Sequence, residues 1–188
     1  MEQYELSLGG VKRTLPFIAI NDELAFASFV ILGDTELVAA CAPRLAEKIG
    51  QVDAILTAEA KGIALAYEIS KHLGMKEFIV ARKSTKTYMK NVVSASVHSI
   101  TTKGEQHLYL DGADADKMKG KKICIIDDVI STGESLHALE ELAKNAGAIV
   151  VKKAAVLAEG DAADRGDIVF LQKLPLFKKN GANQYEII

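Results

Sequence analysis

The sequence is poor in the residues that build disulfide frameworks and metal centres. Its 188 residues include only two cysteines, Cys41 and Cys124, which lie far apart and outside any CxxC pair. A disulfide framework or a zinc site is therefore not expected. The four histidines show no ligand spacing such as HxxxH. No Ser-His-Asp or Cys-His arrangement can be assembled, so nothing in the sequence supports nucleophilic catalysis of that kind.

Long apolar runs and basic stripes are also missing. No run approaches the length that spans a bilayer, and the first residues, MEQYE, lack the basic-then-apolar layout of a signal peptide. We therefore expect a cytoplasmic protein with no membrane partner. A net charge of −2 and the lack of a Lys/Arg-rich stripe argue against nucleic acid as the main partner. With 49% hydrophobic and 26% charged residues, the chain is most simply one globular domain over residues 1–188.

The most informative stretch is residues 123–135, which reads ICIIDDVISTGES. Its first four residues are continuously apolar, which is typical of a strand in a parallel sheet covered on both faces. From about Glu134 the pattern predicts a helix that ends near Gly147. The apolar stripe of this helix consists of Leu136, Leu139, Leu142, Ala143 and Ala146. The stretch therefore predicts a strand, a tight turn and a helix.

This turn has the properties of an anion site. The first backbone N–H groups of a helix lack internal partners and carry the positive end of the helix dipole. Hydroxyl side chains and one glycine surround them, at Ser131, Thr132, Gly133 and Ser135. The acids Asp127 and Asp128 would repel a phosphate unless they face sugar hydroxyls or a divalent cation. The alternative is that these two acids merely start a helix.

The remaining pattern predicts a doubly wound, mostly parallel α/β sheet. A strand at 52–57, a helix at 63–73 and a strand at 78–81 form one βαβ unit, and residues 123–157 form a second. A further helix is expected from the cap Asp34 to Ile49, kinked or broken at Pro43. Ligands in such sheets bind beyond the carboxyl ends of the strands, which predicts one site formed by residues 58–62, the stretch after Ala81 and residues 127–135.

Residues 82–112 interrupt this alternation. Two strands, at 92–100 and 107–111, are expected to form a hairpin around a turn at 101–105. The stretch before them, RKSTKTYMK, is polar, basic and poor in core residues. We therefore expect this inserted segment to be mobile.

Residues 123–135 resemble the 5-phosphoribosyl-1-pyrophosphate (PRPP) motif of the type I phosphoribosyltransferases. The resemblance implies that Asp127 and Asp128 hold the ribose 2′- and 3′-hydroxyls. It also implies that a loop wraps the 5′-phosphate, and this loop consists of Ser131, Thr132, Gly133, Glu134 and Ser135. These roles agree with the chemistry of the groups, because carboxylates accept hydrogen bonds from hydroxyls and backbone N–H groups donate to phosphate.

Two further segments resemble the adenine enzymes of this family. Glu59, Ala60, Lys61 and Gly62 resemble their diphosphate-binding loop, although lysine replaces arginine; on its own the segment is more typical of a solvated turn. The second segment resembles the start of their mobile catalytic loop, and its matching residues are Arg82, Lys83 and Lys86. The alternative interpretation is that this segment is only a solvent-exposed run of basic residues. A lid at this position would bring cations to a diphosphate leaving group and exclude water.

The resemblance favours adenine as the acceptor and leaves xanthine as the alternative. Hypoxanthine-guanine enzymes usually carry aspartate where Ser131 stands, and no loop like that of the orotate enzymes is present. Glu159 matches an acid common to adenine and xanthine enzymes, but the lysine that follows it in xanthine enzymes is Gly160 here. The glutamate that adenine enzymes place on the inserted strand pair is missing near residues 99–102.

The resemblance also implies a small hood over the base, formed by residues 1–33 and 171–188. The base-binding residues expected from it are Phe17, Ile20, Asn21 and Val129. The catalytic residues are expected to be Lys61, Arg82, Lys86, Asp127 and Asp128.

The implied reaction is Mg²⁺-dependent transfer of the phosphoribosyl group to adenine, giving AMP and diphosphate. The resemblance implies that Mg²⁺ binds mainly through PRPP, with a water-mediated contact to Asp127 or Asp128 as the alternative protein contribution. A homodimer is implied too. The alternative from another class is a protein that senses PRPP without catalysis.

Overall fold

The computed structural model describes residues 2–98, 105–180 and 184–188. In chain order the elements are β1 (Gln3–Leu8), β2 (Val11–Ala19), β3 (Leu24–Ala27), α1 (Thr35–Ile49), β4 (Ala54–Ala58), α2 (Ile63–His72), β5 (Ile79–Ala81), β6 (Val93–His98), β7 (Glu105–Leu110), α3 (Gly112–Met118), β8 (Lys122–Ile130), α4 (Glu134–Asn145), β9 (Ile149–Glu159), β10 (Val169–Leu174), β11 (Leu176–Lys179) and β12 (Tyr185–Ile187). No helix in these ranges is long and apolar enough to cross a membrane.

The centre of the fold is a five-stranded parallel sheet with the order β10-β9-β8-β4-β5. The apolar run Ile123–Ile126 of β8 is completely buried, because apolar side chains cover both faces of the sheet. The helices α1 and α2 contribute to the core on one face. The helices α3 and α4 and the β6–β7 hairpin contribute to the core on the other. The α/β fold predicted from the sequence is confirmed.

The order of the strands determines where a ligand can bind. From β4 the chain moves outward to β5, then returns to β8 on the other side of β4 and continues to β9 and β10. The direction of winding therefore reverses between β4 and β8. Loops that leave the carboxyl ends of two such strands diverge and leave a crevice between them.

A second, antiparallel sheet combines both ends of the chain in the order β1-β2-β3-β11-β12. Its strands come from the two segments that the sequence assigns to a hood. The ring of Phe177 packs edge-on against Tyr4 and Phe17 at centroid distances of 5.2 and 4.6 Å. Arg13 of β2 pairs with Asp34, whose side chain also caps α1 by accepting a hydrogen bond from the Leu37 N–H.

Several elements differ from the prediction. Strand β8 continues past the acid pair to Ile130, because Val129 and Ile130 pair with β9. Helix α1 runs through Pro43 without a break. Pro43 and Ala39 are exposed, so the Ala39 carbonyl that loses its helical partner faces water.

Strand β10 and helix α3 were not predicted from the sequence. Strand β10 is a half-buried edge strand, and a short 3₁₀ helix (Gly160–Asp164) lies between it and β9. Neither feature gives a strong periodic signal. The two strands of the hairpin pair as predicted, and residues 99–104, which include most of the turn predicted at 101–105, lie outside the described residues.

Candidate active site

A cavity of about 460 Å³ lies at the carboxyl ends of β4 and β8. It is lined by the loop after β4, the acid pair, part of the predicted phosphate loop and residues of the antiparallel sheet. The lining residues are Ile20, Phe26, Ala27, Phe29, Ala58, Glu59, Ala60, Lys61, Lys83, Asp127, Asp128, Val129, Ser131, Ser135, Glu159 and Leu174. The winding reversal therefore brings together the three loops that the sequence assigned to one site.

The two acids differ in their surroundings. Asp128 is only 2% exposed, and its Oδ1 accepts the Val129 N–H at 3.0 Å. Its Oδ2 is buried and makes no hydrogen bond of good geometry within residues 2–98, 105–180 and 184–188, although the Ile31 N–H lies close enough to the carboxylate to lower its pKa. Asp127 is half-buried and accepts the Asp128 N–H at 2.8 Å. A buried acceptor without a donor is costly in a protein, which marks Asp128 as a binding group.

Burial raises the pKa of both carboxyls above the usual range for aspartate. For Asp127, repulsion by the charge of Asp128 raises the pKa further. Lys61 opposes these shifts: its Nζ lies 4.0 Å from Asp128 Oδ2, and its charge lowers the pKa of both acids. The same lysine lowers the pKa of Glu159, which burial raises. Lys61 therefore partly offsets the negative charge of Asp127, Asp128 and Glu159, three of the four acidic side chains that line the cavity.

The predicted phosphate loop forms a smaller cavity of about 260 Å³ beside the first. Gly133 caps α4 with a left-handed backbone, φ 84°. As the N-cap residue, Gly133 provides no side-chain hydrogen bond to the first turn of α4. The loop residues that line this smaller cavity are Ser131, Thr132, Gly133, Glu134 and Ser135. The loop presents a concave surface at the positive end of a helix, as an anion site requires.

Glu59 links the loop after β4 to the segment after β5. Its two oxygens accept Arg82 Nε and the Lys83 N–H, both at 2.6 Å. The backbone hydrogen bond from Lys83 and then the pairing with Arg82 hold the pKa of Glu59 below its ordinary value. Of the three cations in the predicted lid, only Lys83 lines the large cavity among the described residues. Arg82 is engaged by Glu59, and Lys86 donates to Ser84 Oγ at 2.8 Å.

The residues predicted to bind the base fall into two groups. Ile20 and Val129 line the large cavity. Phe17 packs inside the antiparallel sheet, with its ring 4.3 Å from Tyr185 and 4.6 Å from Phe177. The Asn21 side chain accepts the N–H groups of Glu23 and Leu24 and so stabilises a turn. The structure therefore places Phe17 and Asn21 outside the cavity lining and gives both of them contacts within the sheet.

Sequence reasoning missed several apolar residues of the cavity. These residues are Phe26, Ala27, Phe29 and Leu174. Their positions depend on pairing between β3, β2 and β11, whose partners lie far apart in the sequence. Only the apolar patch at residues 26–32 pointed to this region, and it carried no sign of a ligand.

The residues present suit Mg²⁺ bound partly by substrate. Mg²⁺ prefers oxygen ligands and is often bound by one or two carboxylates together with substrate phosphates. Asp127 and Asp128 supply such carboxylates, and Asp128 Oδ2 accepts no hydrogen bond from any residue that the structure describes. The described residues contain no cluster of three or more His, Cys, Asp or Glu side chains that would form a complete protein cage.

Fold and site together define a class of protein. An acid pair at the winding reversal of a parallel sheet, followed directly by a small-residue loop and a helix N-terminus, is suited to a sugar that carries a phosphate. Cationic side chains line the same cavity as the acids, and they could bind a second anionic group of such a ligand.

Comparison with known proteins agrees with this class. The family model described as "Phosphoribosyl transferase domain" matches residues 32–184. The chain is 35% identical to a hypoxanthine/guanine phosphoribosyltransferase of Methanococcus voltae over 136 residues, 72% of this chain and 68% of that protein. It is 30% identical to a xanthine phosphoribosyltransferase of Brevibacillus brevis over 158 residues, 78% of this chain and 79% of that protein.

The fold is also that of a solved relative. The structure of an adenine phosphoribosyltransferase from Thermoanaerobacter pseudethanolicus matches with a TM-score of 0.69 at 22% identity, covering 85% of this chain and 95% of that one. This chain belongs to the type I phosphoribosyltransferase family.

Proposed function

We propose that this protein transfers the 5-phosphoribosyl group of PRPP to a purine base and releases diphosphate. The observation that carries the proposal is the buried Asp128 Oδ2, which accepts no hydrogen bond within the described part of the chain and lies beside the phosphate loop at the winding reversal. A ribose hydroxyl supplies the donor that this oxygen lacks. Membership of the family and relatives named for purine substrates support the same activity.

In this proposal the protein holds the phosphoribosyl group in place and stabilises the charge that develops on it. The loop of residues 131–135 holds the 5′-phosphate, and Asp127 and Asp128 hold the ribose. The bond from the anomeric carbon to diphosphate breaks while purine N9 bonds to that carbon, and the N9 proton is released to solvent. Positive charge develops on the ribose ring, and the carboxylates beside it stabilise that charge.

Cations would bind the departing diphosphate. Lys61 and Lys83 line the cavity directly. Arg82 is held by Glu59, and Lys86 is close enough to lower the pKa of Glu59. When bound, Mg²⁺ would neutralise charge on the diphosphate, with Asp127 and Asp128 as its protein contacts, directly or through water.

Adenine is the base that we propose, with AMP as product. Ser131 and Gly160 stand where the resemblance places an aspartate in hypoxanthine-guanine enzymes and a lysine in xanthine enzymes. A 6-oxopurine is the second candidate, because the two named sequence relatives carry oxopurine names. The apolar side chains of Ile20, Phe26 and Phe29 would pack against either ring.

A turnover assay tests both levels of the proposal. Purified protein is mixed with PRPP, Mg²⁺ and adenine, hypoxanthine, guanine or xanthine in separate reactions, and diphosphate and nucleotide are both measured. We expect equal amounts of the two products, fastest with adenine. The double variant Asp127→Asn/Asp128→Asn, purified identically, is expected to be inactive and controls for contaminating enzymes.

The outcomes separate the alternatives. Turnover only with an oxopurine would contradict adenine and leave the transferase proposal intact. Binding of PRPP without turnover on any of the four bases would contradict the enzyme and support a PRPP sensor. The homodimer implied by the resemblance remains a prediction, and light scattering during size-exclusion chromatography tests it.

A further inference from the structure

Behind the phosphate loop lies a chain of ion pairs that the proposed reaction does not yet use. We call it the buttress cluster; its members are Glu140, Lys153, Arg165 and Asp167. Lys153 Nζ lies 2.7 Å from Glu140 Oε1 and 2.6 Å from Asp167 Oδ2. Arg165 binds Asp167 with two nitrogens, Nε at 2.9 Å and Nη2 at 2.8 Å. The cluster therefore connects α4 and β9 to the segment before β10.

The cluster reaches the phosphate loop through the third nitrogen of Arg165. A methyl group placed on Gly133 would lie 2.9 Å from Arg165 Nη1, so the guanidinium occupies the space that a side chain at this position would need. In the described part of the chain, Nη1 has no hydrogen-bond acceptor. Gly133 is the N-cap of α4 and the centre of the predicted 5′-phosphate loop. A cationic group with unused donors therefore packs directly against that loop.

Arg165 is held in this position by its partners. The fork of two hydrogen bonds to Asp167 fixes the plane of the guanidinium. Lys153 is only 15% exposed and binds the same carboxylate, so Asp167 is itself anchored. The hydrogen bonds from Arg165 and then Lys153 hold the pKa of Asp167 well below its ordinary value. The carboxylate therefore stays charged over the whole physiological range.

We propose that Arg165 is a positioning residue for the 5′-phosphate: its guanidinium supports the backbone at Gly133 and adds positive charge behind the loop. This inference rests on the proposed function, because it assumes that the loop holds the phosphate of PRPP. Arg165 does not line either cavity of the site, so it acts through the loop and through its charge.

The chain offers a matched control for this residue. Arg13 also forms a two-nitrogen fork with an aspartate, with Nε 2.7 Å from Asp34 Oδ2 and Nη2 2.8 Å from Asp34 Oδ1. The two arginine side chains are 32% and 33% exposed. Asp34 precedes α1, which contributes no residue to the two cavities. Arg13→Met therefore reproduces the loss of an arginine-aspartate fork without touching the phosphate loop.

The test is calorimetric binding of ribose 5-phosphate to the full chain, repeated at several salt concentrations, together with KM for PRPP. Arg165→Met should weaken ribose 5-phosphate binding by roughly tenfold, which corresponds to about 1.4 kcal/mol. It should raise KM for PRPP more than it lowers kcat. The dependence of affinity on salt should become shallower, because one cation near the phosphate is gone. Arg13→Met should change neither affinity nor salt dependence.

Three results would count against the inference. Wild-type affinity in Arg165→Met would overturn it while leaving the proposed function intact. Weaker binding with an unchanged salt dependence would reduce Arg165 to a mechanical support and overturn its electrostatic role. If the wild-type chain binds neither PRPP nor ribose 5-phosphate, the proposed function fails and this inference fails with it. A thermal melt of both variants checks that they are folded.

Discussion

At the scale of single residues, Asp128 combines a cost to stability with the ribose-binding role that we propose for it. Its buried Oδ2 has no hydrogen-bond donor in the described residues, and the nearest cation, Lys61 Nζ, is 4.0 Å away. A protein selected only for stability would not keep such a carboxylate. The arrangement is explained if a ligand hydroxyl completes it, and this explanation leads to two separate predictions.

The first prediction concerns ligand binding. Asp128→Asn should weaken PRPP binding by about 10- to 100-fold, because hydrogen bonds to a charged acceptor contribute about 1.5–3 kcal/mol. The measurement is titration calorimetry with PRPP and Mg²⁺. The same substitution at Asp116, exposed on α3, is the control and should leave affinity unchanged. Unchanged affinity in Asp128→Asn would refute the ribose role of this residue.

The second prediction concerns pH and stability without ligand. The folded protein raises the pKa of the acid pair above the ordinary 3.8, so the fold favours the protonated carboxyls. This contribution is fully present below pH 3.8 and is lost as pH rises through the raised values. Asp128→Asn removes one buried charge and its repulsion of Asp127. The melting temperature of the variant should therefore be a few degrees above that of the wild type at pH 8, and this difference should be smaller at pH 5.

Melting curves of both proteins at the two pH values provide the measurement. Asp116→Asn again serves as the control and should show no difference that depends on pH. An increase in melting temperature of equal size at pH 5 and pH 8 would contradict the raised pKa values of the acid pair, because the increase would then not depend on the charge of the two carboxyls.

At the scale of elements, the strand–loop–helix unit around the acid pair could be predicted because its signals are local. A continuous apolar run, a glycine after small hydroxyl residues and a helical stripe lie within one short stretch. The prediction placed the start of α4 correctly at Glu134. It ended the strand too early, because the continuation to Ile130 depends on pairing with β9, which is not visible locally.

The elements that sequence reasoning missed depend on distant partners. Strand β10 has no strong alternation of its own and is defined by its parallel pairing with β9. Ion pairs such as Arg82 with Glu59 join two loops that are separated by 23 positions. The sequence identified both residues as site residues, but it could not show that they bind each other. Arg165, in contrast, carried no motif signal at all.

The loop after β4 supports a prediction at this scale. Thr57 is completely buried, and its Oγ1 has no hydrogen-bond partner in the described residues. A methyl group on Gly62 would collide with this hydroxyl, so Gly62→Ala should destabilise the fold by about 1–3 kcal/mol. Without the hydroxyl, the nearest neighbours of that methyl would be Ile126 O at 3.3 Å and Thr57 Cβ at 3.5 Å.

The double variant Thr57→Ala/Gly62→Ala should therefore recover most of the stability that Gly62→Ala loses. Thr57→Ala alone should be close to neutral, because it also removes an unsatisfied buried hydroxyl. Chemical denaturation of the four proteins completes the cycle. A double variant whose loss equals the sum of the two single losses would exclude the predicted clash.

At the scale of the whole molecule, the two sheets contribute different chemistry to one cavity. The parallel sheet supplies the charged groups, among them Lys61, Asp127 and Asp128. The antiparallel sheet and the chain next to it supply apolar groups, among them Ile20, Phe26 and Phe29. This division follows from topology, because the winding reversal places loops with free N–H groups and acids at one edge. This division predicts that a substitution can weaken purine binding without affecting PRPP binding, and the reverse.

Ile20 provides the sharpest test of that independence. Its side chain is 55% exposed although it lines the cavity, which suits an apolar residue that packs against a ring. Ile20→Ala should raise KM for the purine roughly fivefold, the effect of losing about 1 kcal/mol of apolar contact, and leave the affinity for PRPP unchanged. Ile18, 45% exposed and outside the cavity lining, is the matched control, and Ile18→Ala should alter neither constant. Steady-state kinetics with each substrate varied in turn measure both constants. An equal loss for purine and PRPP, or an equal effect in both variants, would show that the apolar side of the cavity does not bind the base separately.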